Sequence, residues 1–431
     1  MTSKWPIARI ADCAASEPYS TQIGPFGDKI KATSYVAKGA PVLRGTNLSR
    51  HARFHDTDFV YVREELVSTE FAKFICEAGD VILCHKGTLG EIGIIPRQTK
   101  HSKYVMGNSM MKVRCNLDIL EPLYLYYWLS SKDGQDYLFS RVSQVGVPQI
   151  QTPLTTLRQA EFPLPPLIEQ KRIASILGSL DDKIELNRKM NETLEQMTKA
   201  LFKSWFVDFD PVHAKAARSK PTGMDKATND LFPDSFVDSE LGKIPKGWRV
   251  GTISEIATNP RRGIQPGDIA PGTPYIALEH MPRRSIALGD WADSNVVESG
   301  KTVFKKGDIL FGKLRPYFHK VGLAQVDGVC STDILVLSPI SESWRGSLLC
   351  IASSDELIQF TNLASTGTKM PRTNWGDIGS FKIVIPCNEV AKEFTKRTTS
   401  LTDKIGQNLI ESKVLTETRN LLLPKLLSHG E

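Results

Sequence analysis

The sequence predicts an α+β protein with a pseudo-two-fold internal repeat, in which two tandem mixed domains are each followed by a long helix, and the two helices pair as a coiled coil. Three observations predict this fold class: two long segments with regularly spaced apolar residues, a short motif repeated 221 residues apart, and β-branched or aromatic runs separated by turn residues before each long segment. A chain of 431 residues also exceeds the roughly 250–300 residues at which single cores stop growing.

The repeat is clearest in the long segments. Asp182-Lys183-Ile184 recurs as Asp403-Lys404-Ile405, and Asn187 matches Asn408 at the same offset. Further upstream, Gly79-Asp80 precedes an apolar run, as Gly307-Asp308 does in the second half. Similar features in the same order predict that both halves share one fold.

Each long segment predicts a helix with a coiled-coil seam, from about Glu169 to Phe206 and from about Val390 to Leu427. At about 1.5 Å per residue the first helix spans roughly 57 Å, which suits a strut between domains; a helical bundle inside a larger core is the alternative. A buried Asn in a seam disfavours other registers, so a defined pairing is expected. The seam residues alternate spacings of four and three: Ile173, Leu177, Leu180, Ile184, Asn187, Asn191 and Leu194, then Phe394, Thr398, Leu401, Ile405, Asn408, Ser412 and Leu415.

The first helix ends in an apolar cluster that contains Trp205, Phe206 and Phe209. We expect these rings to pack the chain as it leaves the helix; a surface for a partner protein is the other interpretation. From Val212 to Lys246 the chain is polar and rich in Pro, Gly, Lys and Asp, which predicts an interdomain linker.

The segments before the helices alternate short strand candidates with turn residues. Two further segments, Glu121–Leu138 and Trp344–Leu363, have helical character. The strand candidates are Asp58–Val62, Val81–Cys84, Ile92–Ile95 and Met110–Val113 in the first half, and Pro274–Leu278, Ile309–Phe311 and Ile334–Leu337 in the second.

Composition limits the class of protein. The net charge of +6 permits nucleic acid as a partner without requiring it. The seven cysteines form no CxxC pair, which argues against a disulfide framework or a zinc knuckle. No apolar run approaches the ~18–20 residues of a membrane span, and the first twenty residues lack an apolar signal core. We therefore expect a cytoplasmic protein without a membrane partner.

Several segments resemble catalytic motifs, but each lacks a residue or a setting that the motif requires. Gly300-Lys301-Thr302 resembles the end of a phosphate-binding loop, but position 295 holds Asn instead of the required glycine. Asn259-Pro260 lacks the second proline and the aromatic residue of an adenine methyltransferase. Asp181-Asp182-Lys183 lies inside a helical seam, and the pair His51 and His55 lacks further metal ligands. These patterns predict no catalytic residue and no metal site.

Polar side chains in turn-rich segments suit DNA binding instead. Arg and Lys pair with guanine or hold phosphates, Asn and Gln pair with adenine, and Glu accepts from cytosine. Any one of these residues alone is more often solvated surface; their recurrence at similar places in both halves is the stronger argument. The candidates are Arg44, Asn47, Arg50, Lys86, Thr88, Gln144, Gln149 and Gln151 in the first half, and Arg261, Arg262, Gln265, Glu279, His280, Lys313, Arg315, Tyr317, Lys369 and Arg372 in the second.

Several motifs, taken together, resemble the specificity (S) subunits of type I restriction–modification systems, the HsdS family. The resemblance extends over essentially the whole chain, although Pro386–Val390 departs from the usual start of the second helix. The matching segments are 163–174, 180–187, 201–209, 241–248, 307–310 and 312–317.

The resemblance implies a non-enzymatic DNA reader. Two target-recognition domains would read the halves of a bipartite site in double-stranded DNA, while antiparallel helices set the unread spacer and dock two methyltransferase (M) subunits. Restriction/translocase (R) subunits would join for cleavage. Cofactors would belong to the partners: S-adenosylmethionine to the methyltransferase, ATP and Mg to the restriction subunit. The implied divisions are recognition domains 1–161 and 246–385, helical spacers 162–210 and 386–431, and a linker 211–245.

Two other classes remain open at this point. An enzyme fused to a DNA reader would methylate or cleave DNA by itself, and the missing cofactor and metal motifs argue against it. A protein scaffold that does not bind DNA would confer no sequence preference on its methyltransferase partner.

Overall fold

The computed structural model describes residues 5–25, 30, 32–48, 53–143, 146–219, 221, 223–365 and 370–428. Their contacts form two compact units, one from the described residues of Met1–Glu185 and Val414–Glu431, the other from Leu186–Lys413. Each unit therefore combines one variable region with part of both long helices.

The first unit contains short strands and short helices before the first long helix. Its helices are α1 (Ile10–Cys13), α2 (Pro122–Ser130), α3 (Lys132–Phe139), α4 (Pro153–Arg158) and the start of α5 (Leu167–Phe206). Its strands are β1 (Ile7–Arg9), β2 (Thr21–Ile23), β3 (Ala40–Leu43), β4 (Val60–Val62), β5 (Ile75–Cys76), β6 (Val81–Cys84), β7 (Ile92–Ile94), β8 (Tyr104–Met106), β9 (Met110–Val113), β10 (Val142–Ser143), β11 (Gln149–Ile150) and β12 (Glu161–Pro163).

The first unit contains two four-stranded sheets. One is antiparallel with the order β2-β9-β6-β7; the other has the order β4-β3-β8-β5 and a parallel β3–β8 pair. Both faces of β6 are buried: Val81 and Leu83 enter one apolar cluster, and Ile82 and Cys84 enter another. This explains why the strand is an uninterrupted apolar run, since side chains alternate between the two faces of a strand.

The second unit repeats this arrangement. Its helices are the end of α5, α6 (Asp210–Ala216), α7 (Lys226–Asp230), α8 (Arg345–Ala352), α9 (Asp355–Ala364), α10 (Trp375–Ser380) and most of α11 (Asn388–Ser428). Its strands are β13 (Phe236–Ser239), β14 (Gly242–Pro245), β15 (Arg249–Thr252), β16 (Ala257–Thr258), β17 (Gly263–Ile264), β18 (Pro274–Ile276), β19 (Ala292–Asp293), β20 (Lys301–Phe304), β21 (Ile309–Gly312), β22 (Val321–Leu323), β23 (Gly328–Cys330), β24 (Ile334–Pro339) and β25 (Lys382–Ile385).

The sheet orders of the two units correspond. The sheet β16-β24-β21-β22 is antiparallel like β2-β9-β6-β7, and β20-β23-β18-β19 matches β5-β8-β3-β4, including the parallel central pair. The ribbon β15–β25 matches β1–β12. In β21, Ile309 and Phe311 face one apolar cluster and Leu310 another, as in β6. The predicted internal repeat is thus present in strand order and direction.

The long helices α5 and α11 pair antiparallel in both units. In the first unit, Ile173 and Leu177 lie in one cluster with Leu427. In the second, Asn187 contacts Asn408 and Ser412, and Phe202 packs against Phe394. Of the predicted seam residues, Ile173, Leu177, Asn187, Ile405 and Asn408 are buried, and Leu180, Ile184, Leu194, Leu401 and Leu415 are half-buried. The predicted α+β class with a paired-helix repeat is confirmed.

The region interpreted as a linker has regular structure. It contains α7, most of α6 and the hairpin β13–β14. Val212 and Phe232 are buried in one apolar cluster with Trp205, Phe206 and Trp248. The cluster at the end of α5 therefore packs within the chain, and polar composition alone understated the order of the segment that follows it.

Within the described residues, no helix combines the length and apolar character needed to cross a lipid bilayer.

Candidate nucleic-acid interface

The turn after β6 gathers several of the predicted DNA-binding residues. Lys86 pairs with Gln149 in an isolated β-bridge, and Ile150 N donates to His85 O over 2.9 Å. This bridge fixes the turn against the segment before α4. Lys86, Thr88 and Gln149 are exposed, so their side chains are free to meet a ligand.

The loop after β3 lies beside the same turn. A methyl group added to Gly45 would lie only 2.5 Å from Thr88 Oγ1, which shows how closely the Gly45 backbone approaches the Thr88 side chain. Arg44 is half-buried and donates from Nη2 to Asp58 O over 2.6 Å. Arg44, Lys86, Thr88 and Gln149 thus form one group, here called the β6-edge cluster.

A shallow recess adjoins the β6-edge cluster. It has a volume of about 190 Å³ and is lined by Tyr35, Arg44, Gly107, Asn108 and Ser109 among others. Asn108 is an exposed amide that no sequence pattern singled out. Gln151, two residues beyond Gln149, is also exposed, and its backbone N donates to Arg141 O over 2.9 Å.

The turn after β21 in the second unit has the same construction. Leu314 pairs with Arg372 in an isolated bridge, Arg315 N donates to Pro371 O over 2.8 Å, and Thr373 N donates to Lys313 O over 3.1 Å. The turn is therefore fixed to the segment before α10, as the turn after β6 is fixed to the segment before α4.

The loop after β18 lies beside this second turn. A methyl group on Gly312 would approach Leu278 Cδ2 to 2.9 Å, and the next residue, Glu279, is exposed. Glu279, Lys313, Arg315 and Arg372 form the β21-edge cluster, at the topological position of the β6-edge cluster.

Aromatic rings add to the second cluster. Tyr317 is half exposed and meets Phe318 edge-on, with ring centroids 4.8 Å apart. Arg315 lies 5.9 Å from the Phe318 centroid, and Arg283 lies over the same ring at 4.1 Å. Sequence reasoning missed Arg283, although the Arg283-Arg284 pair in a turn-rich segment was a usable signal. Stacked guanidinium groups suit nucleic-acid recognition because their N–H edges stay free.

Two predicted residues shape their own loops. Asn47 is fully buried: its Oδ1 accepts from Arg44 N over 2.9 Å, and its Nδ2 donates to Thr57 O over 2.8 Å. His280 Nδ1 accepts from Ala277 N over 2.9 Å in the corresponding 3-10 turn. Both side chains cap equivalent turns and are occupied in the chain itself.

Three further candidates lie elsewhere on the second unit. Arg262 donates from Nη1 to Asp308 Oδ2 over 3.0 Å. Asp308 immediately precedes β21, whereas Lys313 immediately follows it, so this pair lies at the opposite end of the strand. Arg261 and Gln265 flank Arg262 and are exposed. The structure does not bring these three residues together with the β21-edge cluster. Arg50, Gln144 and Lys369 fall outside the described residues.

The shared Gly-Asp motif supports the strands. Asp80 accepts from Glu77 N over 2.9 Å and from the Arg114 guanidinium at 2.8 Å. Asp308 accepts from Lys305 N over 2.8 Å. Each carboxylate closes the turn that leads into a buried strand, which explains why the motif recurs in both halves of the sequence.

Burial shifts the pKa of several titratable groups in the two units. Burial lowers the pKa of the His85 imidazole, which favours its neutral form. Burial raises the pKa of the Cys330 and Cys350 thiols to about 12, which makes them poor nucleophiles at neutral pH. Across the described ranges, no three His, Cys, Asp or Glu side chains are grouped to hold a metal ion. The exposed groups offer hydrogen bonding and charge to a ligand.

Comparisons with known proteins agree with this description. Residues 44–196 match the family model of the type I restriction modification DNA specificity domain. The chain is 27% identical over 376 residues to the type I restriction enzyme HindI specificity subunit of Haemophilus influenzae, covering 75% of this chain and 81% of that protein. It is 27% identical over 319 residues to the MjaIX specificity subunit of Methanocaldococcus jannaschii, covering 70% and 68%.

A solved structure shares the fold. The crystal structure of a type I restriction–modification S subunit from M. genitalium superposes with a TM-score of 0.52 at 14% identity, covering 100% of this chain and 98% of that one. The repeated sheets and the paired helices are therefore the fold of a solved type I S subunit. Over most of its length the chain is thus similar to type I restriction–modification specificity subunits, and residues 44–196 match the DNA specificity domain of that family.

Proposed function

We propose that this chain reads both halves of a bipartite DNA site for a type I restriction–modification complex and has no catalytic site of its own. The observation that carries the proposal is the equivalence of the two edge clusters. Each follows the buried central strand of its sheet and is fixed by one β-bridge to the segment before a short helix. Two similar surfaces with different side chains suit two different half-sites.

The first recognition domain, residues 1–161, would use the accessible side chains of the β6-edge cluster and Gln151. Arg44 and Lys86 suit guanine or phosphate, and Gln149 suits adenine. Asn47 is left out because its amide is already bonded in the loop.

The second domain, residues 246–385, would use the β21-edge cluster, with Tyr317 and Arg283 beside it. Lys313, Arg315 and Arg372 supply positive charge, and Glu279 can accept from cytosine. Arg261, Arg262 and Gln265 lie at the other end of β21, where phosphate contacts are the more natural role.

The helical segments 162–210 and 386–431 would set the unread spacer and dock two methyltransferase subunits, with 211–245 connecting the halves. The methyltransferase would bring S-adenosylmethionine, and restriction subunits would bring ATP and Mg. These partners would carry out catalysis, and this chain would recognise the DNA sequence.

The test is genome-wide adenine methylation in cells that express the chain with its methyltransferase subunit. We expect a bipartite motif with a fixed gap that disappears when the chain is deleted. Exchanging residues 1–161 for those of a relative should change one half-site only. Methylation that persists without the chain would favour the protein-scaffold alternative, and a change in both half-sites would refute the modular assignment.

Single substitutions test the clusters. Gln149→Ala should weaken methylation through the first half-site, and Arg372→Ala through the second, each by about tenfold or more, since a good base contact contributes about 1–3 kcal/mol. Lys226→Ala, an exposed lysine paired with Asp230 on α7, is the matched control and should change neither half-site. Equal weakening at both half-sites by either variant would contradict the assignment.

A further inference from the structure

Helix α5 carries one buried carboxylate in each unit. Asp181 is 7% exposed and Glu195 is 6% exposed. Burying a carboxylate is costly unless its oxygens accept hydrogen bonds, so the partners of these two groups indicate what they hold in place.

In the first unit Asp181 joins three elements. Tyr127 Oη, on α2, donates to Asp181 Oδ2 over 2.6 Å, and Arg419 Nη1, on α11, donates to Oδ1 over 2.7 Å. The Arg419 side chain is only 16% exposed. One carboxylate therefore ties the variable region of this unit to both long helices.

In the second unit Glu195 likewise joins the variable region to α5 by hydrogen bonds. Its Oε1 accepts from Ser285 Oγ and, over 3.1 Å, from Ala287 N. Between these two residues, Ile286 is buried, and its carbonyl accepts from Leu323 N, in β22, over 3.2 Å. Glu195 therefore fastens the segment that borders the β21–β22 sheet onto α5.

The two carboxylates occupy the same position of the heptad repeat. They are 14 residues apart, which is four turns of about 3.5 residues in a coiled-coil seam. At the 221-residue offset of the repeat, their counterparts on α11 are Thr402 and Thr416. At both positions of the repeat, α5 therefore has a carboxylate where α11 has a threonine.

We propose that Asp181 and Glu195 are positioning residues that fix the angle of each recognition domain on the helix pair, and with it the length of the DNA gap. The inference rests on the proposed function. Apolar side chains in a helix groove tolerate small rotations, whereas a buried carboxylate keeps its hydrogen bonds in a narrow range of geometry. Removing either group should leave base reading intact and loosen the spacing.

The experiment measures adenine methylation of a library in which the two half-sites are separated by gaps of different length, using the complete methyltransferase complex. The loosening variants are Glu195→Ala and Tyr127→Phe; the second removes one hydroxyl and keeps the Asp181–Arg419 pair. Glu195→Gln keeps the Oε1 acceptor and serves as the conservative rescue. Glu192→Ala, an exposed carboxylate paired with Arg188 on the same helix, is the matched control. Thermal unfolding of each variant verifies that it folds.

We expect Glu195→Ala and Tyr127→Phe to reduce discrimination between the native gap and gaps one base pair longer or shorter by about tenfold, the effect of one lost buried hydrogen bond. Both half-sites should be unchanged, and Glu195→Gln and Glu192→Ala should match the wild type. Methylation that falls equally at all gaps, or wild-type discrimination in both loosening variants, would overturn the proposal. A wild-type chain without any bipartite motif would instead refute the proposed function.

Discussion

At the scale of single residues, burial separates the polar side chains that build the protein from those available to a ligand. Asn47 and His280 occupy equivalent turns, and their side chains hydrogen-bond to backbone groups. Lys86, Gln149 and Arg372 are exposed at the edges of the sheets. The same residue types cap turns and read bases, so the sequence could not distinguish the two roles.

Glu195 yields a prediction on pH. Burial raises its pKa above the ordinary glutamate value of about 4.3, although Ser285, two backbone N–H groups and Lys199 lower it in part. Between the ordinary and the raised pKa the folded state binds more protons than the unfolded state. The stabilisation from protonated Glu195 is therefore complete below the ordinary pKa and is lost as pH rises through the raised one.

Glu195→Gln should remove this dependence. Relative to the variant, the wild type should lose melting temperature as pH rises from about 4.3 towards neutrality. Thermal unfolding across this range measures it, with exposed Glu192→Gln as the control. A difference between wild type and Glu195→Gln that is constant with pH, or that grows in favour of the wild type, would contradict the assigned direction.

At the scale of elements, periodicity predicted the long helices because their seams are buried on one face only. The central strands β6 and β21 were recognisable as apolar runs because both of their faces are buried. Asn187 and Asn408 lie within the helix pair, where Asn187 Nδ2 donates to Glu411 Oε2 and Asn408 Nδ2 donates to Asn191 Oδ1, both over 2.8 Å.

The buried amides should cost stability while fixing the register. Within the described residues, Asn187 Oδ1 and Asn408 Oδ1 accept no hydrogen bond. Asn408→Leu alone should lower the free energy of unfolding by about 1–3 kcal/mol, since Asn191 Oδ1 loses its donor. Replacing Asn187, Asn191 and Asn408 together with Leu should raise it above the wild type. Chemical denaturation measures both variants; a triple variant less stable than the wild type would refute this interpretation.

At the scale of the whole molecule, the chain repeats one sheet arrangement twice and places the segment 211–245 against the end of α5. Under the proposed function, the repeat would explain how one sequence presents two reading surfaces. The apolar cluster around Trp205, Phe206 and Trp248 makes the connecting segment part of the packed structure.

Helix length should set the gap in the DNA site. Inserting one heptad at matched levels of α5 and α11, beside Asn187 and Asn408, adds about 10 Å, or roughly three base pairs at 3.4 Å each. We expect methylation at half-sites of unchanged sequence with a gap longer by about three base pairs. Insertion into one helix only is the control and should abolish methylation, because the seams no longer match. Altered half-sites, or an unaltered gap after the paired insertion, would refute the role of the helices.

The sequence by itself determined the repeat, the extent of both long helices, the buried strands and the resemblance to type I specificity subunits. These features rest on periodicity and on motifs a few residues long, which local geometry dictates. Tertiary structure alone decided which polar residues meet. Gly45, the neighbour of Arg44, lies against Thr88, and Leu314, the neighbour of Lys313, pairs with Arg372, through loops far apart in the chain. Tertiary structure also decided the burial of Asp181 and Glu195. Their hydrogen-bond partners lie on other elements, so these contacts leave no periodic pattern in the sequence.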